Sequence, residues 1–303
     1  MSVLEVTRLF KRYHGLTAVD GFSMAVEAGR IVAVAGPDGA GKTSLFRAAC
    51  GLIDFDSGDV TVGGISVKTG MGRIKPLMGY MPQSFSLYPD LSVEENLRFY
   101  AGLFGVSGDV FASRRERLYR FSGLEPFVKR RAGNLSGGMK QKLALSCALI
   151  HQPSVLILDE PTTGVDPLSR QQFWDILMSL RRDGAAVIVA TPYMDEVALA
   201  DRVVFMHAGK KLAEGTPDEL RRLYSGGIYR LALEPTAERM ALLSGIEGVA
   251  PYRFGADVHI YVPPDMSGGE LAARLADSGF GDAPVERIEA GLEDVFIQLM
   301  SGQ

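Results

Sequence analysis

The segment Gly36-Pro37-Asp38-Gly39-Ala40-Gly41-Lys42-Thr43 fits the pattern G-x-x-x-x-G-K-[ST] at every fixed position. An apolar run, Ile31-Val32-Ala33-Val34-Ala35, leads into it, and a helical pattern beginning Ser44-Leu45-Phe46-Arg47 leads out. A strand, a glycine-rich turn and a helix in that order make a cradle for a polyphosphate. The glycines let the backbone N–H groups turn inward, and the helix N-terminus adds partial positive charge. Lys42 is expected to reach the β- and γ-phosphates, with the Thr43 hydroxyl a ligand for Mg²⁺. A chance glycine-rich turn would not explain the strand before it and the helix after it.

A phosphate loop alone says only that a nucleotide is bound. The run Val155-Leu156-Ile157-Leu158 reads as a buried parallel strand and ends in Asp159-Glu160. Carboxylates at such a strand end are costly unless they have partners. The assignment that fits is Asp159 holding Mg²⁺ beside Thr43, with Glu160 as the base that polarises the attacking water. Between the two motifs lies Asn134-Leu135-Ser136-Gly137-Gly138-Met139-Lys140-Gln141-Lys142, followed by an apolar helical run to Ile150. A hydroxyl and bare backbone N–H groups at a helix start form a second anion cradle. One nucleotide does not need two such cradles, so the second is expected to serve a nucleotide held by another subunit.

Leu135-Ser136-Gly137-Gly138-Met139-Lys140-Gln141 resembles the LSGGQ-type signature of ABC ATPases, and its order and spacing relative to Gly36–Thr43 and Leu156–Glu160 match that family. The resemblance covers residues 1–224. It implies an α/β fold of the P-loop NTPase ABC cassette type: a RecA-like core, an antiparallel β subdomain and a helical subdomain. It implies two ATP molecules, each between one phosphate loop and the opposite subunit's signature, here Leu135, Ser136, Gly137, Gly138, Met139 and Gln141. By the same resemblance, the phosphate-binding stretch runs from Gly36 through Ser44, Tyr13 would stack on adenine, and Gln83 would sense Mg²⁺ and the membrane partner. Asp166, in Gly164-Val165-Asp166, would contact the opposite subunit.

One departure from the family pattern stands out. After Val187-Ile188-Val189-Ala190-Thr191, where the family places a histidine that bonds the γ-phosphate, this chain has Pro192. Proline has no side-chain donor and no backbone N–H. Loss of one such donor costs on the order of 3 kcal/mol, about a hundredfold in rate. The expectation is that ATP binds here, that this site turns over slowly, and that a heterodimer with a second ATPase is favoured over a homodimer. The runner-up is a mainly structural ATP-binding subunit that completes its partner's site.

The overall pattern resembles drug- and antibiotic-export ATPases, and Asp38 together with Pro192 resembles the degenerate cassette of paired-ATPase exporters. That implies transmembrane permease subunits as partners and a cytoplasmic, peripheral position on the inner face of the cell membrane. Ser84-Phe85-Ser86-Leu87-Tyr88-Pro89-Asp90-Leu91 resembles the rim of the groove that receives a permease, with Phe85 and Tyr88 the candidate contacts. No run of about 18 apolar residues is present, so the chain is not expected to span a membrane by itself. A formal charge of −4 argues against a nucleic-acid partner, and Lys129-Arg130-Arg131 reads as a solvated face. Family members that act on DNA or ribosomes usually carry two cassettes or a long insertion, which this chain lacks.

The remaining elements read locally. Residues 3–34 show short strands with turns at His14-Gly15 and Ala28-Gly29, like the small sheet over the base in ABC cassettes. Ser92-Val93-Glu94-Glu95 fits a capping box opening a helix with Leu97, Tyr100, Ala101 and Phe104 on one face. Asp166-Pro167 opens another, whose Trp174 reads as core. Cys50 and Cys147 sit in apolar helical patterns without metal spacing, as buried reduced thiols. After Gly226-Gly227, residues 225–303 alternate strand-like and helical stretches, which suggests a small two-layer C-terminal α+β domain. Its ending, Leu292-Glu293-Asp294-Val295-Phe296, resembles that of many exporter ATPases and reads as core or dimer support. His259 alternates with apolar neighbours, which favours a structural or surface role over metal binding.

Overall fold

The computed structural model describes residues 2–84 and 86–301. Phe85, one of the two candidate groove contacts, lies outside the described residues. The chain divides into two compact units, Met1–Pro217 and Asp218–Gln303.

In the first unit the chain runs through β1 (Ser2–Tyr13), β2 (Leu16–Glu27), β3 (Ile31–Ala35), α1 (Lys42–Ala49), β4 (Ser57–Val62), β5 (Ile65–Ser66), α2 (Val67–Ile74) and β6 (Met78–Met81). It continues through α3 (Val93–Leu103), α4 (Gly108–Ser122), α5 (Gly137–Leu149), β7 (Val155–Asp159), α6 (Pro167–Arg182), β8 (Ala186–Thr191), α7 (Met194–Val197), β9 (Arg202–His207) and β10 (Lys210–Gly215).

The central sheet has the order β10-β9-β3-β8-β7-β6, parallel except for the edge strand β10. Every residue of β3, β7 and β8 is buried, which is why these strands are apolar without alternation. Their register decides where the chemistry can be. Ala35 pairs with Thr191, and Asp159 with Ala190. The three strands therefore end level, and the segments following them emerge side by side at the carboxyl edge of the sheet, where open α/β sheets bind ligands.

A second, antiparallel sheet has the order β2-β1-β4-β5. Its inward residues, among them Leu4, Val6, Phe22, Val26 and Val60, share one core with Val32, Val34, Leu45 and Phe46 of the β3–α1 region. The short strands expected here are in fact two 12-residue strands. Register shifts along the β1–β2 pair bend and twist the ribbon, so polar residues interrupt the apolar alternation without ending the strands.

The helical segment is built around α3 and α5. Ser92 Oγ accepts from the Glu95 N–H (3.2 Å), and Glu95 Oε2 accepts from the Ser92 N–H (2.7 Å), a complete capping box. Asn96, fully buried, binds both the N–H and the carbonyl of Tyr88 at 3.0 Å, which fixes the loop before α3. Leu97, Ala101 and Trp174 are buried, and so are both free cysteines, whose thiols burial pushes well above the usual range. No helix among the described residues is long and apolar enough to cross a membrane.

The second unit begins in α8 (Pro217–Arg221) and continues through β11 (Gly227–Leu231), α9 (Ala237–Ser244), β12 (Ala250–Phe254), β13 (Asp257–Val262), α10 (Gly268–Asp277), β14 (Val285–Ile288) and α11 (Leu292–Ser301). Its antiparallel sheet has the order β12-β13-β11-β14. On one face Leu231, Val258, Ile260 and Val262 meet Leu243 of α9 and Leu271 and Leu275 of α10. The alternate residues of β13, His259 and Tyr261, point the other way and meet α11. The sheet thus carries helices on both faces, which replaces the expected two layers. The contact there is polar. The Asp294 carboxylate accepts from Tyr261 Oη (2.6 Å) and the Gly291 N–H (2.7 Å), and Oδ1 lies 3.0 Å from His259 Nδ1. His259 is buried and stacked on Phe254, and no metal-binding group of three or more His, Cys, Asp or Glu side chains occurs among the described residues.

Removing the Asp294 carboxylate strands three partners, of which His259 is buried and Tyr261 and Gly291 are half-buried. Asp294→Ala is expected to lower the stability of the second unit by about 2–3 kcal/mol. Hydrogen-exchange protection of the β11 and β13 amides checks this. Protection unchanged from wild type would contradict it.

Candidate functional site

The loop after β3 is pressed against its neighbours closely enough to dictate glycine. A Cβ on Gly36 would fall 2.1 Å from the Met206 carbonyl of β9. A Cβ on Gly41 would fall 2.0 Å from the Ala18 carbonyl of β2, and Gly41 has φ +105°. The Gly209 N–H, in the β9–β10 turn, donates to the Ala40 carbonyl at 2.9 Å and ties the loop down. Gly41 caps α1 without any side-chain hydrogen bond, so the N–H groups of the first helical turn are left for an anion.

Lys42 opens α1 and is 4% exposed. Its Nζ donates to the carbonyls of Gly36 (2.8 Å) and Pro37 (3.1 Å) and lies 3.3 Å from Glu160 Oε1. The other carboxylate oxygen of Glu160 accepts from Gln83 Nε2 (2.9 Å) and from Thr163 Oγ1 (3.4 Å). Glu160 sits at φ +50°, a left-handed conformation that is costly for a residue with a Cβ and characteristic of functional sites. Its own N–H is held by the Ala190 carbonyl at 3.0 Å.

Beside it, Thr43 Oγ1 donates to Asp159 Oδ1 at 3.2 Å, while Asp159 Oδ2 is buried without a partner. Burial, and secondarily the charge of Glu160, raise the Asp159 pKa against the lowering pull of Thr43 and Lys42. A hydroxyl and an orphaned buried carboxylate oxygen are the donor set of a hard divalent cation, so these residues fit Mg²⁺.

Phosphate-loop residues, Gln83 and Glu160 line one pocket, whose outer wall includes Tyr13, Leu16 and Ala208. The Tyr13 ring is 38% exposed, with Lys11 Nζ 4.7 Å from its centroid. Residues Gly36–Ser44, Gln83, Asp159, Glu160 and Tyr13 are thus brought together within one chain.

Ser136–Gly138 do not join them. Ser136 is exposed and caps α5, its Oγ accepting from the Met139 N–H at 3.4 Å. Leu135 is buried beneath it, and Gly138 packs on Ser169, where a Cβ would come within 2.6 Å. Met139 and Gln141 are half-buried in the first two turns of α5. Asp166 caps α6 by accepting from the Ser169 N–H at 2.9 Å, which holds its carboxyl below the usual range. Pro192 is exposed and directly follows β8. Its loop is held by Thr191, whose hydroxyl donates to Glu196 Oε2 (2.6 Å) and accepts from the Tyr193 N–H (3.1 Å). Tyr88 is exposed and packs edge-on against Phe99, with ring centroids 4.7 Å apart.

Sequence reasoning passed over several residues at or beside this site, among them Thr163, Glu196 and Ala208. Thr163 could have been flagged by its position three residues after Glu160. Glu196 is told from its acidic neighbour Asp195 only by its bond to Thr191, and Ala208 carries no local signal because the fold alone brings it to the pocket.

Residues 19–163 match the family model described as "ABC transporter". The chain is 41% identical over 220 residues to "Probable multidrug ABC transporter ATP-binding protein YbhF" of Escherichia coli, a match covering 73% of this chain and 38% of that protein. It is 33% identical over 303 residues to "Nod factor export ATP-binding protein I" of Cupriavidus metallidurans, covering 98% and 97% of the two chains. Among solved structures, "Structure of ATP binding subunit of ABC transporter" superposes with a TM-score of 0.68 at 30% identity, over 73% of this chain and 93% of that one.

The close approach at Gly41 has a direct consequence. Gly41→Ala is expected to push the loop off β2 and to weaken ATP binding by at least about tenfold, since even a small misplacement of binding groups is expensive. Equilibrium titration with a fluorescent ATP analogue measures it, and wild-type affinity would contradict the reading.

Proposed function

The chain belongs to the ABC transporter family of ATP-binding proteins, and we propose that it is the ATP-hydrolysing subunit of an exporter that drives separate transmembrane permease subunits from the cytoplasmic face of a membrane. The observation that carries the ATPase part is the cluster at the carboxyl edge of the sheet, in which buried Lys42, Glu160 and Asp159 are bonded to Gln83 and Thr43. The export part rests on the similarity to the two proteins named above, and on the exposed Tyr88–Phe99 pair as a permease contact.

In this reading the N–H groups from Gly39 to Ser44 cradle the phosphates, and Tyr13 supports the adenine. Lys42 is already desolvated and held by two carbonyls, so it turns from Glu160 to the γ-phosphate at little cost in reorganisation. Mg²⁺ held by Thr43, Asp159 and Gln83 would neutralise charge on the polyphosphate. Glu160, freed from Lys42, orients the attacking water and accepts its proton, with Gln83 and Thr163 keeping the carboxylate in place.

Ser136 and Gly137 are exposed at the start of α5 and are incomplete as a site, which supports a role on a nucleotide held by a second ATPase subunit. The Asp166 loop belongs to the same surface. Pro192 offers no donor to the γ-phosphate, which supports slow turnover at this chain's own site and a second ATPase as partner in preference to a second copy. The same residue favours the alternative of a mainly structural subunit whose signature completes the partner's site.

Two variants separate these readings. Glu160→Gln is expected to lower ATP turnover at least about a hundredfold while ATP still binds. Pro192→His is expected to raise kcat by about ten- to a hundredfold with little change in KM. Fast turnover by the purified chain that is indifferent to Pro192→His would overturn the slow-site proposal. No turnover by the purified chain in either background, with turnover that appears only when the partner ATPase is present and survives Glu160→Gln, would favour the structural subunit.

A further inference from the structure

At the end of the central sheet opposite the phosphate loop, a cavity of about 380 Å³ lies between α4, the end of α5, the turn before β7 and the end of α6. Its floor is apolar. Leu118 and Leu149 are buried there, and Phe121 and Leu180 are half-buried beside them. Its rim is charged, with Arg114 and Arg117 on one side and Asp183 on the other.

The two arginines differ. Arg117 is exposed and its Nη2 is paired with Asp183 Oδ2 at 2.5 Å. Arg114 is half-buried, and its Nη1 donates to the Ile150 carbonyl at 3.1 Å. Among the described residues no carboxylate lies within ion-pair distance of it. A planar, permanently charged group with spare donors above an apolar floor is a carboxylate-recognition device. The volume falls at the lower end of the small-molecule range and is too small for a helix. The rim carries one positive charge beyond neutrality, which suits a monoanion. Inorganic phosphate would leave the apolar floor unused.

We propose that this cavity binds a small amphipathic monoanion, a carboxylate on a compact apolar body. The carboxylate sits on Arg114, and the body fills the space above Leu118, Phe121, Leu149 and Leu180. Because the walls come from α4, α5 and α6, an occupant ties these helices together and raises the melting temperature of the protein. The site is separate from the nucleotide pocket and does not depend on the exporter reading.

The test uses the whole chain, with naphthalene-2-carboxylate as probe and its neutral carboxamide as control, by calorimetric titration and thermal melting. Saturable one-to-one binding of the acid is expected, with a rise in melting temperature. Binding of the carboxamide is expected to be at least about tenfold weaker, and Arg114→Gln to weaken the acid by at least about tenfold, as loss of a charge-assisted bond implies. ATP binding by Arg114→Gln is expected to match wild type. Absence of saturable binding, equal binding of acid and amide to the wild-type chain, or undiminished binding by a folded Arg114→Gln variant would each overturn the proposal. The acid–amide comparison decides the matter even if that variant fails to fold.

Discussion

An ammonium group and a carboxylate, both almost fully buried, face each other at 3.3 Å where β3 and β7 end. Taking two charges out of water is expensive, and a pair of this kind persists only when hydrogen bonds satisfy what the charges leave over. Here they do. Two loop carbonyls complete Lys42, and Gln83 and Thr163 complete Glu160. Keeping these groups in place demands much of the surrounding chain. The phosphate loop must lie against β2 and β9 so tightly that Gly36 and Gly41 admit no side chain. Glu160 must adopt a left-handed backbone pinned by β8. The sheet, in turn, must end its strands level. In the proposed mechanism the charge pair is also a store of chemistry, because a triphosphate would offer Lys42 a better partner and release Glu160.

The same geometry explains why half of the machinery stands apart. The phosphate loop and the acidic strand end share the carboxyl edge of the sheet, whereas Ser136 and Gly137 open a helix elsewhere, capped and exposed. A hydroxyl and bare N–H groups in water contribute little until an anion and a second surface exclude that water. Pro192 sits between these facts. It follows Thr191 at the level of the phosphate loop, in a loop braced by the Thr191–Glu196 bond, so its position is firm while its chemistry is inert.

What could be read from the chain beforehand was whatever one short segment encodes by itself. The phosphate loop announces itself because strand, glycines and helix are contiguous, and the Ser92–Glu95 box because both members lie within one helical turn. Asp159-Glu160 was legible as a costly pair at a strand end. The hub at Asp294 was not, because His259 and Tyr261 lie 35 and 33 residues away and nothing in either segment marks the other. Nothing in the sequence singled out Arg114. Its distinction is that no carboxylate among the described residues lies within ion-pair distance of it, which only packing reveals. The two long strands at the start were misjudged as short because bulges break the period that sequence reading relies on.

The account turns on this chain's Ser136 lying against a nucleotide bound to a different subunit. The most direct measurement is site-directed crosslinking in the assembled complex, with Ser136→Cys carrying a short photoreactive group and ATP–Mg²⁺ present or absent. The account predicts an ATP-dependent adduct to a phosphate-loop peptide of another subunit. An adduct confined to this same chain, or one indifferent to ATP, would contradict it.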